Sequence, residues 1–435
     1  MLVEIVAIPT VGRVDGAVRP PGSKSISNRA LVCAALAEGV SLLTGLLDSE
    51  DTQVMVDCWH RLGVRIDFDR DRHLATVHGC MGQPPNRKAE LFVANSGTTI
   101  RFMTAALAAC QGDFVLDGVA RMRQRPIGDL LEALQAAGVS AESTNVEHPD
   151  CPPVHLISKG LPGGMLTVDG NVSSQFLSGL LLASPYAKSL VDISVRGELV
   201  SRPYVAMTMA VMRQFGVVVD ESFEGSWRVH PGCYRARQYD IEPDASAASY
   251  FWAAAAISGG EVTVEGLSAR SLQGDIHFCD ALEAMGCKVR WGEDSVTVQG
   301  GELKGIDIEM SDISDTVQTL AVVALFAQGT TRVRGVAHNR FKETDRIGDL
   351  ATELRKLGAV VEEHEDGLTI HPQVYHGARL ATYADHRMAM SLALAGLRIE
   401  GVEIQDPHCT SKTYPLFFQD LAKLIGKPMV HRTLT

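Results

Sequence analysis

The chain has 435 residues, 46 % of them hydrophobic, enough apolar material for two or three cored domains and too much for a disordered chain. Lys and Arg total 40 against 52 Asp and Glu, a net charge of −12, which argues against a general nucleic-acid binder or a protein of anionic membrane surfaces. No apolar run approaches the roughly 18 residues that a membrane-spanning helix needs. The opening MLVEIVAIPT carries Glu4 and lacks the basic stretch of a secretory signal. Nine cysteines without a C-x-x-C spacing read as reduced thiols, neither a disulfide frame nor a zinc site, so the expected compartment is the cytoplasm.

In chain order, a β-like run at Leu2–Pro9 comes first, and one unit then recurs six times. Each unit begins with a turn of small polar residues running into a helix that is apolar on nearly every face. These turns start at Gly22, Asn95, Asn171, Pro243, Ser311 and Ala384. A helix of that kind is buried. A β-like run, an amphipathic helix and further β-like runs follow. The amphipathic helices end at Gly63, Gly138, Gly216, Gly286, Gly358 and Gly426, where glycine suits a left-handed helix stop. A period of roughly 70 residues is too long for the common helical and leucine-rich solenoids. Six α/β units instead predict two similar domains of three units. The first is expected over 22–240. The second joins 1–21 to 241–435, with a hinge near the two crossings that favours closure around a ligand.

If the buried helices point their N-termini one way, their free N–H groups and positive dipole ends form an anion site. The residues placed there suit one. Ser23, Lys24, Ser25 and Arg29 stand on the first turn, and Asn95, Ser96, Gly97, Thr98 and Arg101 on the second. Ser173, Ser174 and Gln175 stand on the third, and His386 and Arg387 on the sixth. Each turn alone is explained by N-capping. Recurrence with basic residues in an acidic chain points to anionic substrates. Arg125, at the expected first position of a helix before Pro126, and Arg202, Lys342, Arg346 and Lys412 extend the basic set, although each alone reads as a surface charge. Asp315, Glu343 and Asp385 are the acids nearby. Asp315 and Asp385 suit helix caps and Glu343 an i,i+3 partner for Arg346, while all three also suit acid–base work among cations. GSKS lacks the glycine that a P-loop places before its lysine, and G-x-G-x-x-G, H-E-x-x-H and G-x-S-x-G are missing.

PGSKSISNRA, NSGTTIR, RQRPIG, VSSQF, SRPY, KETDR, ADHRMAM and TSKTYP, in that order, resemble the motifs of the 5-enolpyruvylshikimate-3-phosphate synthases in the enolpyruvyl transferase family. The resemblance covers nearly the whole chain. It implies an α/β fold of two similar domains, each of three βαβαββ-type units with buried parallel helices, and an active site in the interdomain cleft. It implies transfer of the enolpyruvyl group of phosphoenolpyruvate to the 5-hydroxyl of shikimate 3-phosphate, through a tetrahedral intermediate, with release of phosphate. It also implies two small-molecule substrates, no metal or cofactor, no nucleic acid or membrane partner, and a monomer.

By matching position, the resemblance assigns Lys24, Ser25, Arg29, Ser173, Ser174, Gln175, Ser201, Asp315, His338 and Lys342 to shikimate 3-phosphate. It assigns Lys24, Gly97, Arg125, Gln175, Arg346, Arg387 and Lys412 to phosphoenolpyruvate. Asp315 becomes the base on the 5-hydroxyl, and Glu343 with Lys24 the source of the proton at C3. Gly97 leaves room beside the phosphoenolpyruvate phosphate, which implies inhibition by glyphosate. Two positions depart from the family. His338 stands where an asparagine is usual, with Asn339 one residue later, and Phe102 replaces the usual Pro or Leu after Arg101. Two other readings stay open: UDP-N-acetylglucosamine enolpyruvyl transferase, which relies on a loop cysteine for which Cys110 is the neighbour, and a non-catalytic repeat scaffold.

Overall fold

The computed structural model describes residues 3–222 and 225–434. The chain forms two compact units, Gly22–Ile241 and Met1–Pro21 with Glu242–Thr435, here called the continuous and the discontinuous unit. Each has its own apolar core.

Six core helices carry these interiors: Lys24–Leu36, Gly97–Ala109 and Ser174–Ala183 in the continuous unit, and Ala245–Ser258, Val317–Ala324 and His386–Gly396 in the discontinuous one. All residues of the second, fourth, fifth and sixth are buried, as their lack of a polar face requires. Side chains of Ser23, Ser96, Ser173, Asp244 and Asp385 cap five of them by accepting from first-turn N–H groups. The fifth differs. A tight turn, Ser311–Thr316, leads into it, and no side chain caps it. Buried hydroxyls need partners, and they find them across helices. Ser249, Thr319 and Ser391 form a chain with both gaps at 3.2 Å, joining the three core helices of the discontinuous unit.

Six four-stranded sheets surround the cores with one repeated order. In the second sheet, Lys88–Phe92 enters the core helix and pairs in parallel with Gln111–Asp117, which leaves it. Val154–Lys159 and Ser140–Ser143 follow as antiparallel neighbours. The register puts Ala89, Phe114, Leu156 and Ala141 in one row across the sheet, three of them fully buried. Four of the six core helices follow the carboxyl end of their own sheet's entering strand, so their N-terminal turns lie where open α/β sheets place their ligands.

Two entering strands come from far along the chain. Gln238–Asp240 pairs with Val40–Thr44, and Asp15–Val18 pairs with Glu261–Glu265, both in parallel. The opening strand spans Val3–Ala7, shorter than the expected Leu2–Pro9, and Leu2 lies outside the described residues. It runs antiparallel to Glu403–Gln405 and Val430–Leu434. The helix expected to begin at Arg125 starts at Gly128 instead. The N–H groups of Ile127 and Gly128 both go to the Asp150 carbonyl, and Arg125 stays extended.

All six repeat glycines have φ between +63° and +106°. Gly138 isolates that requirement, since a Cβ there would meet nothing within 4 Å. Gly138→Ala should lose about 1 kcal/mol from backbone strain alone, and Gly138→Asn about half of that. Urea unfolding measures both, and equal stability of all three proteins contradicts the helix-stop reading.

Candidate active site

In the continuous unit the N-terminal ends of the three core helices are tied together by the residues singled out above. Lys24 Nζ stands 3.7 Å from Asp51 Oδ2, and both side chains are largely buried. The Arg29 guanidinium is 2 % exposed and donates to Thr208 Oγ1 (2.7 Å), to the carbonyls of Ser25 (2.9 Å) and Tyr204 (3.1 Å), and to Ser178 Oγ (3.5 Å). All these acceptors are neutral. The Phe102 ring lies under the guanidinium, 5.1 Å from its centre, and the Tyr204 ring lies at 6.0 Å. Burial lowers the Arg29 pKa to about 10, which leaves it charged at neutral pH.

Arg125 donates to the carbonyl and the side-chain oxygen of Asn95, at 2.9 and 3.2 Å. Arg101 reaches Gln175 Oε1 at 2.7 Å and the Pro126 carbonyl at 2.9 Å, and Gln175 Nε2 donates to Thr98 at 3.4 Å. Gln175 therefore links the second and third turns, while Ser173 caps the third helix and Ser174 is buried beside it. Gly97 is the tight point. A Cβ there would lie 2.4 Å from Arg125 Nη2 and 2.8 Å from Arg101 Nη1. Ser201 is buried with φ +54° just before the helix Arg202–Gln214, which supplies Tyr204 and Thr208 to Arg29. Arg202 takes no part in this cluster. It is exposed and pairs with Glu221 at 3.0 Å, the surface role that its sequence context allowed.

The discontinuous unit gathers a second group around Arg346. Its Nε donates to Asp385 Oδ2 at 2.7 Å, Nη2 to Glu343 Oε2 at 2.8 Å, and Nη1 to Asp315 Oδ1 at 3.2 Å. Arg387 Nη2 takes the other Asp315 oxygen at 2.8 Å, and Lys412 Nζ stands 4.0 Å from Glu343 Oε1. Three acids and three bases thus interlock with at most 13 % side-chain exposure. Burial opposes the Arg346 charge, but Asp385, then Glu343 and Asp315, outweigh it and raise the pKa. Asp385 does cap its helix, accepting from Arg387 N at 2.8 Å, and it grips Arg346 as well. Asp315 is not a cap: it belongs to the tight turn before the fifth core helix, and its carboxylate goes to the two arginines. A buried ion cluster adds little to stability over apolar residues of equal volume.

His338 is 3 % exposed. Burial first, and the Lys342 charge second, push its pKa down to about 3, so its ring is neutral at pH 7. Asn339 is a tether, donating to the Ser314 carbonyl at 2.9 Å beside Asp315. Cys110 is buried at the end of the second core helix, and its thiol donates to the Ala106 carbonyl. Among the described residues no His, Cys, Asp and Glu group has the arrangement of a metal site, and no helix is long and apolar enough to cross a membrane. A surface groove of about 620 Å³, lined by Val56, His60, Phe68 and Leu74 among others, holds none of the turn residues.

Three contributors escaped the sequence reading. Asp51 looks like an ordinary first-turn acid of the helix Glu50–Arg61, yet it is the Lys24 counter-ion. Asp275, in no recognisable motif, is buried and bonded to Ser246, and burial followed by the Asp315 charge raises its pKa to about 6. Thr208 is one threonine in a helix face, and only the fold brings it to Arg29.

The His338 ring supplies a pH test. Unfolded, it gains a proton near pH 6.5, and folded only near 3. Stability is therefore intact above pH 6.5 and falls by about 1.4 kcal/mol per pH unit from this group on the way down. His338→Asn removes that slope. Urea unfolding at pH 7 and pH 5 should show the variant gaining on the wild type as pH drops, and a constant difference contradicts the neutral buried ring.

Residues 8–421 match the family model described as EPSP synthase (3-phosphoshikimate 1-carboxyvinyltransferase). The chain is 47 % identical over 432 residues to the 3-phosphoshikimate 1-carboxyvinyltransferase of Vibrio vulnificus (strain YJ016), covering 97 % of this chain and 99 % of that protein. Its fold is similar to the solved EPSP synthase from Acinetobacter baumannii, with TM-score 0.80, 26 % identity, and 99 % and 100 % of the two chains covered. It is also similar in fold to the enolpyruvyl transferase NikO from Streptomyces tendae, with TM-score 0.78, 20 % identity and both chains fully covered. With that fold and a matched family model spanning all six core helices, the chain belongs to the EPSP synthase family.

Proposed function

We propose that the chain transfers the enolpyruvyl group of phosphoenolpyruvate to the 5-hydroxyl of shikimate 3-phosphate and releases inorganic phosphate. The observation that carries this reading is Arg346 holding Asp315 and Glu343 together, with Arg387 and Lys412 on their remaining oxygens. Two carboxylates fixed on one guanidinium group can serve separate proton transfers, while the cations meet the charge of the phosphate and carboxylate groups.

In this reading Asp315 takes the proton of the 5-hydroxyl as its oxygen bonds to C2. The C2–C3 double bond opens toward C3, which gains a proton from Glu343, with Lys24 sharing that duty. In the second half the C2–O bond to phosphate breaks, C3 returns a proton, the double bond reforms and phosphate leaves. Arg125, Arg346, Arg387 and Lys412, with Lys24, Gln175 and the room at Gly97, hold phosphoenolpyruvate. Ser25, Arg29, Ser173, Ser174, Gln175, Ser201, His338 and Lys342 hold shikimate 3-phosphate. Arg29 keeps one N–H beyond its four neutral acceptors, on the nitrogen that also reaches the Ser25 carbonyl. His338 acts as a neutral ring. The enzyme works as a cytoplasmic monomer, and Arg and Lys provide the charge neutralisation without metal or cofactor.

Phosphate release should require both substrates in the wild type, and Asp315→Asn should lower kcat by about 10²- to 10⁴-fold, the usual worth of a positioned base. Release from phosphoenolpyruvate alone, or full activity in the variant, contradicts the assignment. Gly97→Ala must push the Arg125 guanidinium off its position. The KM for phosphoenolpyruvate should rise roughly tenfold, the equivalent of ~1.4 kcal/mol, and inhibition by glyphosate should weaken. Steady-state inhibition that is equal in the two proteins removes this account of Gly97.

A further inference from the structure

The loop that delivers Asp385 and Arg387 is strained. Tyr383 and Ala384 have φ of +55° and +54°, a left-handed pair with no glycine in it. Side chains occupy that region only where their surroundings hold them there.

Glu353 is what holds them. It lies on the helix Gly348–Lys356, which begins just after Arg346, and its side chain is fully buried. Oε1 accepts from the Tyr383 hydroxyl at 2.6 Å, and Oε2 accepts from the Ala381 N–H at 2.9 Å. Lys356 Nζ bridges both oxygens at 2.8 Å and supplies the counter-charge. Among the described residues Glu353 has no bond to Arg346, Arg387 or Lys412. It nevertheless closes a mechanical ring: Arg346 leads into the helix that carries Glu353, Glu353 grips the loop, and the loop ends in Asp385, which grips Arg346 at 2.7 Å. Asp385 also accepts from the Arg387 N–H, so the same loop sets where the second arginine starts. Charge-assisted bonds to a buried carboxylate are stronger and more directional than neutral ones. They suit a part that must be fixed within a fraction of an ångström.

Building on the assignment of Arg346 and Arg387 to phosphoenolpyruvate, we propose that Glu353, through Ala381 and Tyr383, is a positioning residue for these two arginines. It holds the strained turn in the one conformation that aims Asp385 and Arg387. Without its grip the turn relaxes toward negative φ, Asp385 turns away, and the guanidinium groups lose their common aim. Of the groups assigned to shikimate 3-phosphate only Asp315 bonds to these arginines, and its backbone belongs to the turn Ser311–Thr316, off this ring.

Tyr383→Phe tests the idea gently, because it deletes one hydroxyl and keeps the ring. Glu353→Gln is the stronger variant, since it removes the charge and one acceptor. Steady-state kinetics with each substrate varied should show the KM for phosphoenolpyruvate raised about tenfold in Tyr383→Phe, the factor expected for one lost bond to a charged group. The rise should be larger in Glu353→Gln. The KM for shikimate 3-phosphate should stay within about twofold, and the thermal midpoint of Tyr383→Phe within about 2 °C. An unchanged KM for phosphoenolpyruvate in both variants, with the wild type fully active, overturns the proposal. So do two KM values that rise together with a lowered thermal midpoint, which mark general loosening. A wild type that releases no phosphate from this substrate pair overturns the functional assignment beneath it, and this proposal with it.

Discussion

A helix that is apolar on every face has only its ends for polar chemistry. That constraint organises the chain. The six core helices are buried along their sides, so only their first turns can carry residues that meet water or a ligand. The first turn also has free N–H groups and the positive end of the dipole. Serines and aspartates answer the backbone by capping, which leaves the next one or two positions for lysine, arginine and glutamine. Lys24 follows Ser23, Gln175 stands two places after Ser173, and Arg387 two places after Asp385. Capping and ligand binding are thus adjacent duties at one helix end, which is why small hydroxylic residues and bases recur together along the sequence.

Concentrating cations in an acidic chain creates a problem when no substrate is bound. A buried arginine without compensation loses several kcal/mol of hydration. The discontinuous unit compensates with carboxylates, and the same carboxylates are the acid and base of the proposed reaction. Asp385, Glu343 and Asp315 surround Arg346 and outweigh the cost of burying its charge. In the proposed reaction an arriving dianion would compete with these carboxylates for the guanidinium groups. Freed of an arginine, a carboxylate becomes a better base.

Much of this was legible in the sequence, for physical reasons. The repeat showed because helix burial and left-handed helix stops each impose a residue pattern that survives divergence: Gly63, Gly138 and their four counterparts all need φ > 0. The turns showed because capping restricts residue choice. Pairings over long separations were hidden. Nothing local says that Gln238–Asp240 lies beside Val40–Thr44, or that Asp15–Val18 lies beside Glu261–Glu265. Asp315 could be a cap or a base on spacing alone, and only the path of its side chain to Arg346 and Arg387 separates the two. Proline suits a first turn, so the sequence suggests a helix from Arg125, whereas the Asp150 carbonyl takes the N–H groups of Ile127 and Gly128 and the helix begins at Gly128. Asp51, Asp275 and Glu353 were invisible because an acid in a helix reads as a solvated charge until the fold buries it.

Arg29 and Arg346 show two ways of keeping a guanidinium in a core. Arg346 is held by carboxylates and has its pKa raised, whereas Arg29 is held by neutral oxygens and aromatic faces and has its pKa lowered to about 10. The difference decides what each can offer an anion. Arg346 also has one N–H beyond its four bonds, on Nη1, but an anion arriving there meets three carboxylates. The positive charge of Arg29 faces hydroxyls, carbonyls and the Phe102 ring, whose negative face only partly offsets it. An anion arriving at its remaining N–H meets an uncompensated charge, where each unit of opposite charge is worth most. Phe102 belongs to that arrangement: a Pro or Leu at its position would support the guanidinium by contact alone, whereas an aromatic ring also stabilises its charge, in a place where a carboxylate would have cancelled it.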